Sequence, residues 1–263
     1  MTEPDVEDPH KHSFYEITWV EEGKSKQAID CTEYELFPNT LFFISPGQIH
    51  LFQEWEHLKG GSILFTEDFF LLNQQHKDAL FEYSFLDNFY SNPSFQLRPT
   101  DFSEVLSTIQ WLQKEKQNAS PSSSILQSLL HILLAQIQRC MDAQSSAVSK
   151  KYLVSYKQFK QLIDAHFSEN LSVSKYAELL HITQHQLNVI AKEVTGKTAG
   201  EVIRSRSMLE AKRWLTFTDM PITEIAASLN YLDASYFSRL FRNETGLSPV
   251  AFKQAMSEKY RTK

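Results

Sequence analysis

The stretch at 10–23 reads HKHSFYEITWVEEG. On an extended chain, side chains two apart face the same way. His10, His12 and Glu16 therefore share one face, and two imidazoles with a carboxylate are a donor set for a divalent transition metal. His10 stands close to an acidic N-terminus, MTEPDVEDPH, where chain ends fray, which weakens it as an ordered ligand. Other chemistry-bearing residues are scattered. His57, His76 and His131 have no ligand spacing, and His131 lies in an apolar run where a core or interface histidine is the ordinary expectation. Cys31 and Cys140 are the only cysteines, too few for a thiolate zinc site, and both read as reduced thiols. No Ser/His/Asp elbow, phosphate-binding glycine loop or helical zinc motif occurs in a chain with seven glycines.

The elements that would carry the histidines are strand-like. From His10 to about Leu72, runs such as FYEITWV, LFFIS and GGSILF alternate with turn residues at Glu22-Gly23, Pro38-Asn39, Ser45-Pro46-Gly47 and Gly60-Gly61. Short strands with frequent turns fit a small barrel or sandwich. From about Asp101 the period becomes helical, with Phe102, Val105, Leu106, Ile109 and Leu112 on one face. A second helix, ILQSLLHILLAQIQ, is apolar over more than one face, which fits core packing alone or core packing plus pairing with a second copy. The small, polar run DAQSSAVSKK opens a linker placed at 142–155, and everything beyond it reads as helix.

Charge divides the chain in the same place. Residues 1–150 hold 10 Lys+Arg against 21 Asp+Glu, whereas residues 151–263 hold 16 against 11. Only the second, basic part suits a polyanion. No apolar run is long enough to span a bilayer, and no basic start precedes an apolar segment, so a soluble protein that is not exported is expected.

The basic part contains one layout twice. In LSVSKYAELLHITQHQLNVIAKEVTG, Ser172 caps a short helix, His181-Ile182-Thr183 breaks it, and Thr183 caps a second helix that stops at Gly196. Ala177 and Leu187 fit the contact of a close helix pair, the arrangement of a helix-turn-helix. About fifty residues later, MPITEIAASLNYLDASYFSRLFRNETGLSP has Pro221 at a helix start, Ala226 at the packing point and a turn at Asn230-Tyr231-Leu232. Asp233 caps the next helix and Gly246 stops it. TAGEVIRSRSMLEAKRWLTFT between them reads as one long helix whose Val202, Ile203, Leu209, Ala211 and Leu215 serve both units. One connecting helix can hold two recognition helices about one DNA turn apart, roughly 34 Å.

On AELL, TGKT, EAKRWL, ITEIAASLNY and SYFSRLFRNETGLSPVAF, residues 156–254 resemble the DNA-binding domain of the AraC/XylS family of transcription regulators. The resemblance implies DNA contacts from Gln184, His185, Gln186, Asn188, Val189 and Lys192 in the first unit. In the second it implies Ala234, Ser235, Tyr236, Ser238, Arg239 and Arg242. Those residue types suit the roles, since Gln and Asn bond adenine, Arg bonds guanine, and Lys or Arg anchors phosphate. Val189, Ala191 and Asn230 depart from the family's usual residues, which implies weaker base reading by the first helix.

In that family the other domain is commonly a cupin-type barrel, and HKHSFYEITWVEEG and PNTLFFISPGQIH resemble its two motifs, with His50 in the second. His10, His12, Glu16 and His50 then stand at the four ligand positions of a metal-binding cupin. The family's usual small-molecule binding implies an effector pocket at these four residues without metal; the alternative is that they hold one. The expected fold class is multi-domain α+β, with an N-terminal cupin-like β-barrel bearing two helices and a C-terminal all-α tandem helix-turn-helix domain. The expected boundaries are a sensing and dimerisation domain at 1–141, the linker, and a DNA-binding domain at 156–263. The expected function is a cytoplasmic, sequence-specific transcription regulator, of the activator kind, binding double-stranded DNA as a homodimer under a small-molecule effector. It is expected to have no enzyme activity, no cofactor and no membrane partner. The alternative is a cupin metalloenzyme or metal sensor with a helical interaction domain.

Overall fold

The computed structural model describes residues 9–72, 80, 83–86, 92–144 and 150–260. The chain divides into two compact units, 1–147 and 148–263, which gives the multi-domain α+β class.

The first unit is built on a five-stranded antiparallel sheet of β1 (Tyr15–Ile29), β2 (Thr32–Leu36), β3 (Thr40–Ile44), β4 (His50–Phe65) and β5 (Ser94–Gln96). A short helix α1 (Glu67–Leu71) follows β4, and α2 (Pro99–Lys116) and α3 (Ser123–Gln144) follow β5. Every residue of β3 is buried, because both faces of the sheet are covered. Ile17, Trp19, Leu41 and Phe43 pack with Phe102, Val105, Ile109, Leu130, Leu133, Leu134 and Ile137 of α2 and α3. Val20, Ile29, Leu36, Phe42 and Ile44 form a second cluster on the opposite, inner face.

β1 bends back on itself. Its residues 16 and 29 would lie about 43 Å apart in a straight strand. Yet His50, the ladder partner of Ile29, brings its side chain to within 3.8 Å of the Glu16 carboxylate. Register shifts between Val20 and Glu22, Glu22 and Lys24, and Lys26 and Gln27 allow the β1–β4 ribbon to curl this far. The result is a barrel-like wall with an enclosed inner face.

Two expected turns lie inside strands. Gly23 does not end β1; it sits at a bulge with φ +77°, where a Cβ would strike the carbonyls of Glu56 and His57. Gly60-Gly61 continues β4, and its glycines answer to Trp19: a Cβ on Gly60 would collide with the Trp19 carbonyl and one on Gly61 with the Trp19 ring. Residues 67–71 are helical within a stretch expected to be strand, because Thr66 accepts from the Phe69 amide as N-cap and Glu67 and Asp68 favour a first helical turn. The turns at Pro38-Asn39 and Ser45-Pro46-Gly47 are present, with Asn39 at φ +65° and Gly47 at φ +80°.

The second unit is all helix among its described residues: α4 (Lys150–His166), α5 (Val173–Leu179), α6 (Gln184–Thr195), α7 (Ala199–Phe217), α8 (Ile222–Ser228), α9 (Ala234–Thr245) and α10 (Pro249–Tyr260). Helices enter the 142–155 stretch from both sides, since α3 runs to Gln144 and α4 starts at Lys150. The buried series Tyr156, Phe159 and Ile163 supplies the α4 face.

Candidate functional site

The second unit repeats one motif around a shared helix. Ser172 caps α5 through the Lys175 amide, and Thr183 and Gln186 form a reciprocal capping box at the start of α6. Asp233 caps α9 through the Ser235 amide. The turns take left-handed backbone at matching places, His181 at φ +54° and Asn230 at φ +56°. Asn tolerates this conformation well, and its amide also donates to the Glu169 carbonyl at 2.9 Å. Gly196 (φ +73°) and Gly246 (φ +80°) terminate α6 and α9 in the left-handed region that glycine alone adopts without strain. Between the units, α7 buries Val202, Ile203, Met208, Ala211 and Leu215, and Leu209 is only half-buried. The inward residue of that turn is therefore Met208.

The two motifs differ by one residue. Ala177 and Ala226 stand 49 apart, and so do Ile182 and Tyr231, whose amides donate to those two alanine carbonyls. Past the turn, Leu187 and Phe237, and Gly196 and Gly246, stand 50 apart. The extra residue is Leu232, between Tyr231 and the Asp233 cap. At 102% relative exposure it is the most exposed large apolar side chain among the described residues.

The residues expected at DNA fall into two groups. Gln184, His185, Gln186 and Lys192 on α6 are exposed, as are Ser235, Tyr236, Arg239 and Arg242 on α9; Asn188, Val189, Ala234 and Ser238 are half-buried. Some carry internal bonds. The Gln186 side-chain oxygen Oε1 accepts from the Thr183 backbone amide, and the Asn188 side chain donates to the Gln184 backbone carbonyl while accepting from the Ala199 backbone amide at 3.1 Å. The Ser238 hydroxyl donates to the Ala234 carbonyl. Arg239 lies 6.0 Å from the Tyr236 ring centre, an exposed cation–π pair. The sequence places Leu232 only in the turn and not among the expected DNA contacts, and the one-residue offset between the repeats is the signal that marks it.

The first unit brings three of the four expected pocket residues together. His12 Nε2 is 3.3 Å and His50 Nε2 is 3.8 Å from Glu16 Oε2, and the three donor atoms lie within 4.8 Å of one another. His12 and Glu16 do not belong to one strand, since β1 begins only at Tyr15; a bend at Ser13-Phe14 turns the imidazole back onto the carboxylate. His10 stays outside this donor group. Its backbone pairs with that of His50, at 3.1 and 2.9 Å, and its exposed ring lies 4.3 Å from the His50 ring.

The charges of the cluster follow from burial and partners. Burial works to raise the Glu16 pKa, but hydrogen bonds from His12 and Ser62 and the nearby His50 and His12 offset it and leave the carboxyl below its usual value. Burial pushes the His50 imidazole down to about 4, against the opposing pull of Glu16 and the Gln48 carbonyl. His50 Nδ1 donates to that carbonyl at 3.3 Å, so its Nε2 faces Glu16 as a lone pair. The arrangement can accept hydrogen bonds from a ligand or ligate a cation.

Sequence comparison separates the same two parts. Residues 3–150 match the profile of the AraC-like ligand binding domain, and residues 176–255 that of a helix-turn-helix domain. The HTH-type transcriptional activator RhaS of Pectobacterium carotovorum subsp. carotovorum (strain PC1) is 26% identical over 251 residues, covering 94% of this chain and 88% of that protein. RhaS of Escherichia coli O139:H28 is 24% identical over 254 residues, covering 93% and 87%. Among solved structures, ToxT from Vibrio cholerae aligns over 94% of this chain and 92% of its own, with 14% identity and a TM-score of 0.47. With a ligand-binding profile over more than half its length and a helix-turn-helix profile beyond it, this chain belongs to the AraC family of DNA-binding transcription regulators.

Proposed function

We propose that this protein activates transcription in the cytoplasm by binding DNA as a homodimer, under the control of a small molecule held in the barrel. The observation that carries the DNA part is the pair of capped helix-turn-helix units sharing α7. Base and phosphate contacts come from Gln184, His185, Val189 and Lys192 on α6 and from Ala234, Ser235, Tyr236, Arg239 and Arg242 on α9. Gln186, Asn188 and Ser238 hold the helices in shape through their internal bonds. Leu232 joins this surface: it precedes Tyr236 by four residues, and the thymine methyl is the one apolar group that base edges offer in the major groove. Activation rather than repression is supported by the two RhaS relatives, both named activators.

Dimerisation is proposed through α3 and its neighbour α2. Ile125 and Ile132, seven residues apart on α3, are 49% and 46% exposed, and Trp111 of α2 is 60% exposed. A spacing of seven keeps both isoleucines on one helical face. Ile132→Glu is expected to leave the chain folded and monomeric in sedimentation.

The test of the main reading is selection of duplexes by the full chain from a random pool. A preferred site with base-specific positions is expected, bound with an affinity that falls steeply with salt. Recovery of no preferred site contradicts it.

The donor set His12–Glu16–His50 favours a second reading, in which the barrel ligand is or includes a divalent transition metal. Metal analysis of the chain after cobalt or zinc loading tests it. Stoichiometric uptake that His50→Ala and Glu16→Gln each abolish supports the reading, and uptake unchanged in both variants rejects it.

A further inference from the structure

Besides α7, a second connection ties the two helix-turn-helix motifs together. The loop between α4 and α5 leads into the Ser172 cap of the first motif. The same loop meets the turn of the second motif. The Asn230 side-chain amide donates to the Glu169 backbone carbonyl at 2.9 Å, and the Asn170 side-chain amide donates to the Asn230 backbone carbonyl at 3.4 Å. Each segment thus gives one amide and one carbonyl to the other. The two asparagines stand 60 residues apart in the chain.

Both sides of this clasp are anchored. On the loop side, the buried Ser207 hydroxyl of α7 donates to the Phe167 carbonyl at 3.2 Å. The Arg206 guanidinium lies 4.2 Å from the Phe167 ring centre and pairs with Asp164 of α4 at 2.7 Å. On the turn side, Asn230 is followed by Tyr231, which is buried with its ring centre 5.5 Å from that of Phe237 in α9. The clasp therefore joins a loop fixed on α4 and α7 to a turn fixed on α9.

Backbone conformation alone does not account for these asparagines. Asn170 and Asn230 take left-handed backbone, at φ +52° and +56°. Glycine meets that need without a Cβ, as Gly196 and Gly246 do in the same unit. At the matching turn of the first motif the left-handed residue is His181, which is exposed. What asparagine adds at 170 and 230 is the amide, and both amides serve one clasp. Two exposed hydrogen bonds are modest ties, so their effect lies in where they act.

One base pair added between two DNA segments moves the second by about 3.4 Å and turns it by about 35° around the axis. Two stiffly linked recognition helices cannot follow that shift, whereas a looser pair follows it and binds the original spacing less well. Resting on the DNA-binding reading above, we propose that Asn170 and Asn230 are positioning residues whose clasp sets the number of base pairs the protein accepts between its two segments. Neither residue belongs to the surface assigned to DNA. They act through the angle at which α9 is held against the first motif.

The experiment measures binding of the full chain to its selected duplex and to duplexes with one base pair added or removed between the segments. The proteins are the parent, Asn170→Gly, Asn230→Gly and the double variant, since glycine keeps the left-handed turns and removes only the amides. The parent is expected to lose at least about tenfold on either altered spacing, and the double variant at least about threefold less than the parent does. On duplexes with one segment scrambled, all four proteins are expected to bind within about twofold of one another. Asn230→Asp, which tolerates the turn but cannot donate, is expected to behave as Asn230→Gly does. An equal spacing penalty in parent and double variant overturns the proposal, as does a parent indifferent to spacing. Weakening of the variants by one factor on every duplex also overturns it, because it marks a purely structural role. Parental spacing selectivity in Asn230→Asp overturns the assignment of the Asn230 amide as the donor that matters. A parent for which no preferred site can be selected is the separate failure of the DNA-binding reading, and the proposal falls with it.

Discussion

Arg239 and Arg242 occupy one exposed stripe of α9, and the proposed DNA binding gives them different tasks. Arg239 lies beside Tyr236 in the middle of the helix, where recognition helices reach base edges. Arg242 stands in the last turn, where a cation meets phosphate. Replacing Arg239 with Ala should relax selection at one base position and cost about 1–3 kcal/mol on the preferred site only. The Arg242→Ala protein should bind preferred and scrambled duplexes more weakly by a similar factor, with a salt slope smaller by about 1. Affinities on both duplexes over a range of salt separate the cases, and equal losses on both duplexes for Arg239→Ala would contradict its role. Leu232 allows a cleaner chemical test. Exchanging each thymine of the site for deoxyuridine removes a methyl group alone, and one exchange should weaken the parent several-fold, on the order of the ~0.8 kcal/mol a buried methylene carries, yet leave Leu232→Ser unaffected.

At the scale of elements, local chemistry decides where the structure agrees with the sequence. The caps at Ser172, Thr183, Asp233, Gly196 and Gly246 were legible because each depends on a few neighbouring residues: a hydroxyl or carboxylate before a helix, a glycine after it. Thr183→Ala should lower stability by about 1 kcal/mol in chemical denaturation, and no measurable loss would remove the capping box from the account. The barrel was legible in outline only. Gly60-Gly61 looks like a turn in one dimension, and only the Trp19 strand lying across it explains why no side chain fits. Gly60→Ala should therefore destabilise by more than 2 kcal/mol, as backbone collisions in a sheet do. The pocket had the same limit. The histidine motif was visible by spacing, but only the curl of β1 brings His50 back to Glu16. His10 matches the motif by spacing yet lies outside the donor group, because spacing cannot tell a side chain in that group from one whose backbone pairs beside it.

At the scale of the whole molecule, the helical unit carries a buried charge whose cost depends on pH. Burial holds Lys160 down at about 7 from 10.5, with Asp164 opposing the shift and Arg206 adding to it, and Tyr156 is buried on the same face of α4. Between these values the unfolded chain binds a proton that the folded chain lacks. Lys160 should thus make the stability of this unit rise with pH from about 7 to about 9, at up to about 1.4 kcal/mol per pH unit. Nearer 10 the hydroxyls of Tyr156, Tyr176 and Tyr231, all raised above their usual value by burial, oppose the rise. In Lys160→Met the rise between about 7 and 9 should be lost; an equal slope in parent and variant would exclude Lys160 as its source.

In the DNA-binding mode proposed above, α7 (Ala199–Phe217) holds the two recognition helices at a fixed separation on one face of DNA. This arrangement is tested most directly by the affinity of the full chain for its selected site, before and after inserting about five base pairs, half a helical turn, between the two base-specific segments. The insertion should lower affinity to that of a site with one segment destroyed. Unchanged affinity after the insertion would contradict it.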